Sequence, residues 1–166
     1  MVTVMKNAKQ NTQIKNGFTL IELMITLAIV AILATVAVPG FQTMIKSNRM
    51  SSQANELIST LNYARSEAIK RNVSVTLTAN DTDKWHTGWT VTDANANDIR
   101  TQAAFDSNGT LTAAASLNSV TYRPTGFLQG NSSVSFALCD SRTGETGRTI
   151  RISTTGRVNV SNLACP

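Results

Sequence analysis

The chain is predicted to be an α+β protein. A long N-terminal helix, transmembrane in its first half, packs through its second half on an all-β globular head closed by a C-terminal disulfide. Three observations carry that reading. Phe18 to Val38 is a run of 21 residues whose only charge is Glu22. Apolar residues then recur at spacings of three and four as far as about Arg71. From Asn72 onward the apolar period becomes two, the signature of half-buried strands.

At about 1.5 Å per residue the apolar run covers roughly 30 Å, the thickness of a bilayer core. Residues 1–17 are polar and without hydrophobic periodicity, and they read as a targeting leader. Lys6, Lys9 and Lys15 would hold that end in the cytoplasm and place everything after Val38 beyond the membrane. Without the leader the formal charge falls from +5 to +2, twelve bases against ten acids. A remainder so mildly basic makes no compositional case for a dedicated nucleic-acid binder.

Three readings compete for the span. A secretory signal peptide would have a shorter apolar core and a small-residue cleavage site, which Ala34 and Ala37 imitate. An inert signal anchor would have no use for a carboxylate. The third reading employs Glu22. A carboxylate costs about 2.5–3.5 kcal/mol at the centre of a spanning helix, less near its end, and is normally paired. Cleavage between Gly17 and Phe18 would create a positive amino terminus four residues before Glu22. Such a terminus on a neighbouring copy would be its partner.

Gly17-Phe18-Thr19-Leu20-Ile21-Glu22-Leu23 resembles the signature of type IV pilins and of the pseudopilins of type II secretion. The resemblance implies that a prepilin peptidase cuts after Gly17 and methylates Phe18, and that Glu22 aids docking into a filament. Tyr63-Ala64-Arg65-Ser66-Glu67-Ala68-Ile69-Lys70-Arg71-Asn72 is similar to the helix end of the GspH/FimT/FimU group of minor pilins and pseudopilins. That implies a non-enzymatic subunit without cofactors that primes or caps a filament. Its partners would be major and minor pilin subunits, the prepilin peptidase and an inner-membrane assembly platform. The expected layout is leader 1–17, transmembrane and assembly helix 18–40, amphipathic helix 41–71, and periplasmic β-rich head 72–166. The finished filament would lie in the periplasm or at the cell surface.

Pro39 ends the apolar run without needing to end the helix. Beyond it, Phe41, Met44, Ile45, Ala54, Leu57, Ile58, Leu61, Ala64 and Ala68 form the expected apolar face. The charges near Arg71 read as a solvated face with a Glu67–Arg71 pair one turn apart.

In the head, Val73, Val75 and Leu77 begin the first strand, and Trp89 and Val91 a second, followed by a polar turn at Asp93–Asp98. Ile99 to Phe105 is expected to pair across Asn108-Gly109 with Leu111 onward. Val120 and Tyr122 before Pro124 suggest an edge strand or the end of a strand, while Val134, Phe136 and Leu138 alternate cleanly. For the last hairpin, a three-residue loop Thr154-Thr155-Gly156 opposes Ile152 to Val158 and Ile150 to Val160. A two-residue turn would set Ile152 against Asn159 and spoil the apolar face.

No catalytic constellation is evident. Cys139 and Cys165 lack metal-site spacing, and with His86 they are too few for a zinc centre. If the head is exported they read as a disulfide, the alternative being two buried thiols. His86 reads as an exposed loop residue. Asp81 and Asp83 lack a calcium-loop pattern, and Gly144 to Gly147 lacks a phosphate-loop ending. Trp85 and Trp89 read as core or strand-edge aromatics, the alternative being a partner-facing patch. Arg142, Arg148, Arg151 and Arg157 gather against Asp140 and Glu145. Some FimT-type relatives bind DNA in natural transformation through arginines of this region, so Arg148, Arg151 and Arg157 are candidate DNA contacts. The local charge is thin, and no aromatic is interleaved for base stacking. A membrane-anchored enzyme is the third class, without any clustered acid, base or nucleophile to support it.

Overall fold

The computed structural model describes residues 17–105, 109–130, 132–142 and 144–165. The leader as far as Asn16, with its three lysines, and Asn108 of the expected turn lie outside the described residues. The chain divides into two compact units, Met1–Gln42 and Thr43–Pro166. Helix α1, Leu20–Arg71, contributes to both and contains Pro39.

Every described residue from Gly17 to Arg49 is exposed. The buried stripe starts at Met50 and continues through Ala54, Leu57, Leu61, Ala64 and Ala68, at alternating spacings of four and three. Phe41, Met44 and Ile45, expected on that stripe, are exposed instead. They satisfy the helical period, but the core begins one turn later. Glu67 is also buried, so the expected Glu67–Arg71 pair forms on the packed side rather than in solvent, with Nε to Oε2 at 2.5 Å.

Two antiparallel sheets complete the second unit. The first has the order β3-β2-β1-β5, with β1 Val75–Ala79, β2 Trp89–Thr92, β3 Asp98–Gln102 and β5 Ser119–Tyr122. The second has the order β4-β6-β7-β8, with β4 Thr110–Ala113, β6 Val134–Cys139, β7 Thr146–Ile152 and β8 Val158–Ala164. One core cluster joins the helix stripe to Val75, Leu77, Val91 and Tyr122 of the first sheet and to Leu111, Phe136, Leu138, Ile150 and Ile152 of the second. Trp85 and Trp89 are fully buried in it. The Trp85 ring meets Phe136 edge-on at 4.9 Å and its Nε1 donates to the Leu117 carbonyl at 2.8 Å.

The last hairpin has the expected register, with Ile152 opposite Val158 and Ile150 opposite Val160. Gly156 occupies the left-handed position of its loop, at φ +77°. β5 is an edge strand, as Pro124 suggested. The hairpin expected across Asn108-Gly109 does not form: β3 pairs with β2, whereas β4 pairs with β6 in the other sheet. Asn-Gly is a local turn signal, but pairing follows burial. Leu111 and Ala113 are buried beside Leu138 and Phe136, while Ile99 on its edge strand is only half-buried.

Cys139 and Cys165 form a disulfide across 26 residues, Cα to Cα 5.9 Å. A loop of that size stabilises by about 3 kcal/mol in the chain-entropy account. The bridge passes from the end of β6 to the end of β8 over β7, at Gly147. A Cβ at Gly147 would overlap Cys165 Sγ and the Leu138 carbonyl oxygen. Gly147, which lacks the ending of a phosphate loop, is therefore the gap through which the disulfide closes.

Polar side chains tie the helix to the loops. Arg65 Nε donates to the Gly126 carbonyl at 2.9 Å and its Nη2 to the Thr155 carbonyl at 3.1 Å. Gly156 packs so closely on Gly126 that a Cβ there would overlap the Gly126 carbonyl oxygen. On the other side, Arg100 of β3 pairs with Glu56 at 3.0 Å and lies over the Tyr63 ring at 5.7 Å. Asp93 caps its turn through the Asn95 and Asn97 amides, and Arg71 reaches it at 3.9 Å. Arg142 pairs with Asp140 at 2.6 Å and with Glu145 at 3.6 Å, and its Nη2 donates to Ser47 Oγ at 3.5 Å. Burial acts to raise the Asp140 pKa, but the Arg142 hydrogen bonds and charge outweigh it and hold the carboxyl below its ordinary range.

Three outcomes are expected. Arg65→Ala removes two charge-assisted bonds to loop carbonyls and should cost about 2 kcal/mol in chemical denaturation, since bonds to charged groups contribute about 1.5–3 kcal/mol. Gly147→Val should raise the free-thiol count of the purified chain and lower its melting temperature, whereas a fully bridged, equally stable variant would contradict the packing. Because the folded Asp140 pKa is depressed, its contribution is present above the unfolded value of about 4 and lost as pH falls through the folded one. The stability gap between wild type and Asp140→Asn should therefore be widest at neutral pH and close in acid; a pH-independent gap would refute this.

Candidate functional site

The carboxylate singled out in the sequence sits in the first turn of α1. Thr19 stands just before the helix, and its Oγ1 accepts from the Glu22 amide at 3.3 Å. Glu22 Oε2 accepts in return from the Thr19 amide at 3.3 Å and from the Thr19 hydroxyl at 3.2 Å. Thr19-Leu20-Ile21-Glu22 is thus a reciprocal capping box, which satisfies donors that the first turn leaves unpaired. The Thr-x-x-Glu spacing is the sequence signal of this cap. The Glu22 charge also lies at the positive end of the helix dipole.

Glu22 Oε1 accepts no hydrogen bond among the described residues, and Glu22 is exposed. Around it stand Phe18, 90% exposed, and the side chains of Leu20, Ile21, Leu23, Met24 and Ile25, all more than half exposed. The apolar segment of α1 has a mean hydropathy of 2.6 over its best 18-residue window, with none of that window buried. A helix so apolar and so uncovered is long enough to cross a membrane and needs either lipid or other apolar helices around it. Phe18 and Gly17 precede the helix without secondary structure, an arrangement that leaves the peptide bond between them accessible.

The head residues considered for chemistry are dispersed. His86 is half-buried in a single 3-10 turn, Trp85–Thr87, where its Nδ1 accepts from the Leu111 amide at 3.4 Å; it is not an exposed loop histidine. Asp81 is paired with Lys84 at 3.0 Å. Trp89 stacks edge-on with Phe105 at 5.6 Å, within the core.

The arginines proposed as DNA contacts do not share one surface. Arg148 has the strand parity of buried Ile150 and Ile152, and its Nη1 donates to Asn162 Oδ1 at 2.8 Å. Arg151 has the opposite parity, and Arg157 lies with it beside the hairpin loop. Arg151 and Arg157 together line a cleft with Ser153, Thr155, Val158 and Asn159. Arg142 is committed to Asp140 and Glu145. Alternation along β7 separates what sequence proximity had grouped.

Residues 53–156 match the family described as type II transport protein GspH, and residues 13–38 match the prokaryotic N-terminal methylation motif. Among solved structures, the chain is similar to the type IV minor pilin FimU of Pseudomonas aeruginosa. One crystal form gives a TM-score of 0.64 at 25% identity, covering 71% of this chain and 92% of that one. A second gives 0.60 at 26% identity, covering 67% and 91%. The fimbrial protein EcpC of Eikenella corrodens is 49% identical over 43 residues, which is 26% of this chain and 28% of that protein. The match to the family thus runs from the packed half of α1 through β7 to the Gly156 loop, and the separate motif covers Gly17, Phe18 and Glu22. The chain belongs to the GspH family of minor pilins and pseudopilins.

Proposed function

We propose that the chain is a minor subunit of a type IV pilus or type II secretion-like filament, matured by removal of residues 1–17 and methylation of Phe18. Residues 18–40 then hold it in the inner membrane and later pack among neighbouring subunits, residues 41–71 carry the apolar helix face, and the head 72–166 faces the periplasm. Filament assembly draws on other pilin subunits, a prepilin peptidase and an inner-membrane platform. The single observation that carries this reading is the uncovered apolar segment of α1 with one carboxylate, Glu22, in its first turn. Neither a plain anchor nor a cleaved signal peptide has a use for that charge.

Glu22 acts twice in this scheme. In the isolated chain it completes the capping box with Thr19. In the filament, the oxygen left open takes the positive amino terminus of a neighbour's Phe18, which exists only after cleavage. Away from water an unpaired carboxylate is costlier than one facing an amino terminus, because the attraction within the pair offsets part of the desolvation of both charges. Processing and assembly are thereby coupled.

The two roles separate experimentally. Gln completes a capping box as Glu does but carries no charge. Glu22→Gln should reach the membrane at wild-type levels and enter filaments poorly, as measured by immunoblotting of membrane and sheared filament fractions. Incorporation equal to wild type would leave Glu22 as a cap alone. Mass spectrometry of the mature chain should show an N-terminal Phe18 bearing one added methyl group. A terminus beyond Val38 would return the segment to a secretory signal peptide.

A further inference from the structure

The two sheets of the head have four edge strands, and three are guarded. β3 carries Asp98 and Arg100, its ladder to β2 is broken between Val91 and Thr92, and Arg100 is held by Glu56 of the helix. The outer side of β4 meets Lys84 in a bridge to Thr112. The outer side of β5 is covered by the following segment, with Tyr122 bridged to Leu128 and the Gln129 amide donating to the Thr121 carbonyl at 2.8 Å. Charge, bulges and covering segments are the means by which natural sheets stop their edges from pairing with other chains.

β8 has none of them. It is seven residues long, Val158-Asn159-Val160-Ser161-Asn162-Leu163-Ala164, with no charge, no proline and an unbroken ladder to β7. Its alternation defines which backbone groups are free. The Ser153 amide donates to the Arg157 carbonyl, and the Cys165 amide to the Glu145 carbonyl. Hydrogen-bonded and non-hydrogen-bonded pairs alternate in an antiparallel ladder. Asn159, Ser161 and Leu163 therefore bond inward to β7, and Val158, Val160, Asn162 and Ala164 direct their amides and carbonyls outward. Among the described residues no hydrogen bond reaches those outward groups.

The strand is also held in place at both ends, by the Ser153–Arg157 loop and by the Cys139–Cys165 disulfide. An edge already ordered gives up little conformational freedom on pairing. Val160, on the same side as Ile150 and Ile152, remains 40% exposed at the rim of the core. Beside Val158, Arg151 and Arg157 face the cleft already described, and no carboxylate pairs with either among the described residues.

We propose that the free edge of β8 is a docking surface for an extended, carboxylate-bearing segment of a neighbouring filament subunit, which adds a fifth strand to the second sheet. The inference rests on the filament reading above. Only an extended strand meets a row of alternating amides and carbonyls. Backbone bonds to Val158, Val160 and Asn162 hold the segment, an apolar side chain covers Val160, and an acid reaches Arg151 and Arg157. An acidic partner complements the two guanidiniums, whereas an arginine-bearing one would be repelled.

The test compares amide hydrogen exchange of the full chain in detergent with that of the chain in purified filaments. The Val158, Val160 and Asn162 amides should exchange freely in detergent and slow by about tenfold or more in filaments, while the inward Asn159 and Ser161 amides change little. Val160→Pro deletes one outward amide and no ladder bond, so it should keep the melting temperature and lose filament incorporation. Val160→Lys, which preserves the backbone, and Arg157→Glu should lose incorporation as well. Outward amides equally fast in both states would overturn the docking surface alone, as would a Val160→Pro variant that assembles like wild type. A wild-type chain that stays in the membrane and out of filaments would overturn the filament reading and this one with it. Protection by added duplex DNA but not by filaments would overturn it in favour of nucleic acid.

Discussion

Two small sheets, each of four strands, share one core with the helix stripe, and Arg65 ties their loops together across it. Its guanidinium bonds the carbonyl of Gly126, in the loop leaving the first sheet, and that of Thr155, in the last hairpin of the second. Gly156 packs on Gly126 too closely for any side chain. One helix residue therefore pins the ends of both sheets over the stripe from Met50 to Ala68. The stripe supplies the buried apolar area, and Arg65 adds two charge-assisted bonds that hold the loops beside it.

The same economy governs the opposite end of the second sheet. A disulfide usually links neighbours, but this one crosses β7 at Gly147, so a missing side chain in the middle strand is part of the covalent closure. It finishes β8 where the strand would otherwise fray. The effect is a rigid edge on a strand that, among the described residues, lacks charge, bulge and cover. In a filament subunit, an edge left open at the end of a stiff hairpin is consistent with a partner rather than with neglect of aggregation risk.

At the other extreme of the chain, Glu22 joins a helix cap to an uncovered apolar surface. Within the isolated helix it is a capping residue, bonded to Thr19. Its second oxygen and its charge are not consumed by the cap. The surrounding apolar surface is uncovered, which is tolerable in lipid and demands neighbours elsewhere. A carboxylate at the positive end of a helix is stabilised there by the helix dipole.

Much of this could be read without coordinates wherever the determinant was local or periodic. The span, the helix to Arg71, the alternation in β1 and β6, and the register of Ile150 and Ile152 against Val158 and Val160 follow from residue spacing along one or two elements. The pairing of β3 and β4 was not legible, because an Asn-Gly turn signal knows nothing of which strand will bury Leu111. Nor was the onset of the helix stripe at Met50, since Phe41, Met44 and Ile45 obey the same period without a core to enter. Arg65 looked like any solvated arginine, and Gly147 like a loop glycine, until distant segments were brought against them. Hydropathy and helix period act over short stretches of chain, so the fold class, the long apolar segment and the position of its one carboxylate are written in residue spacing. Which strands pair, which glycines must lack a side chain and which edge is open among the described residues depend instead on contacts between residues far apart in the chain.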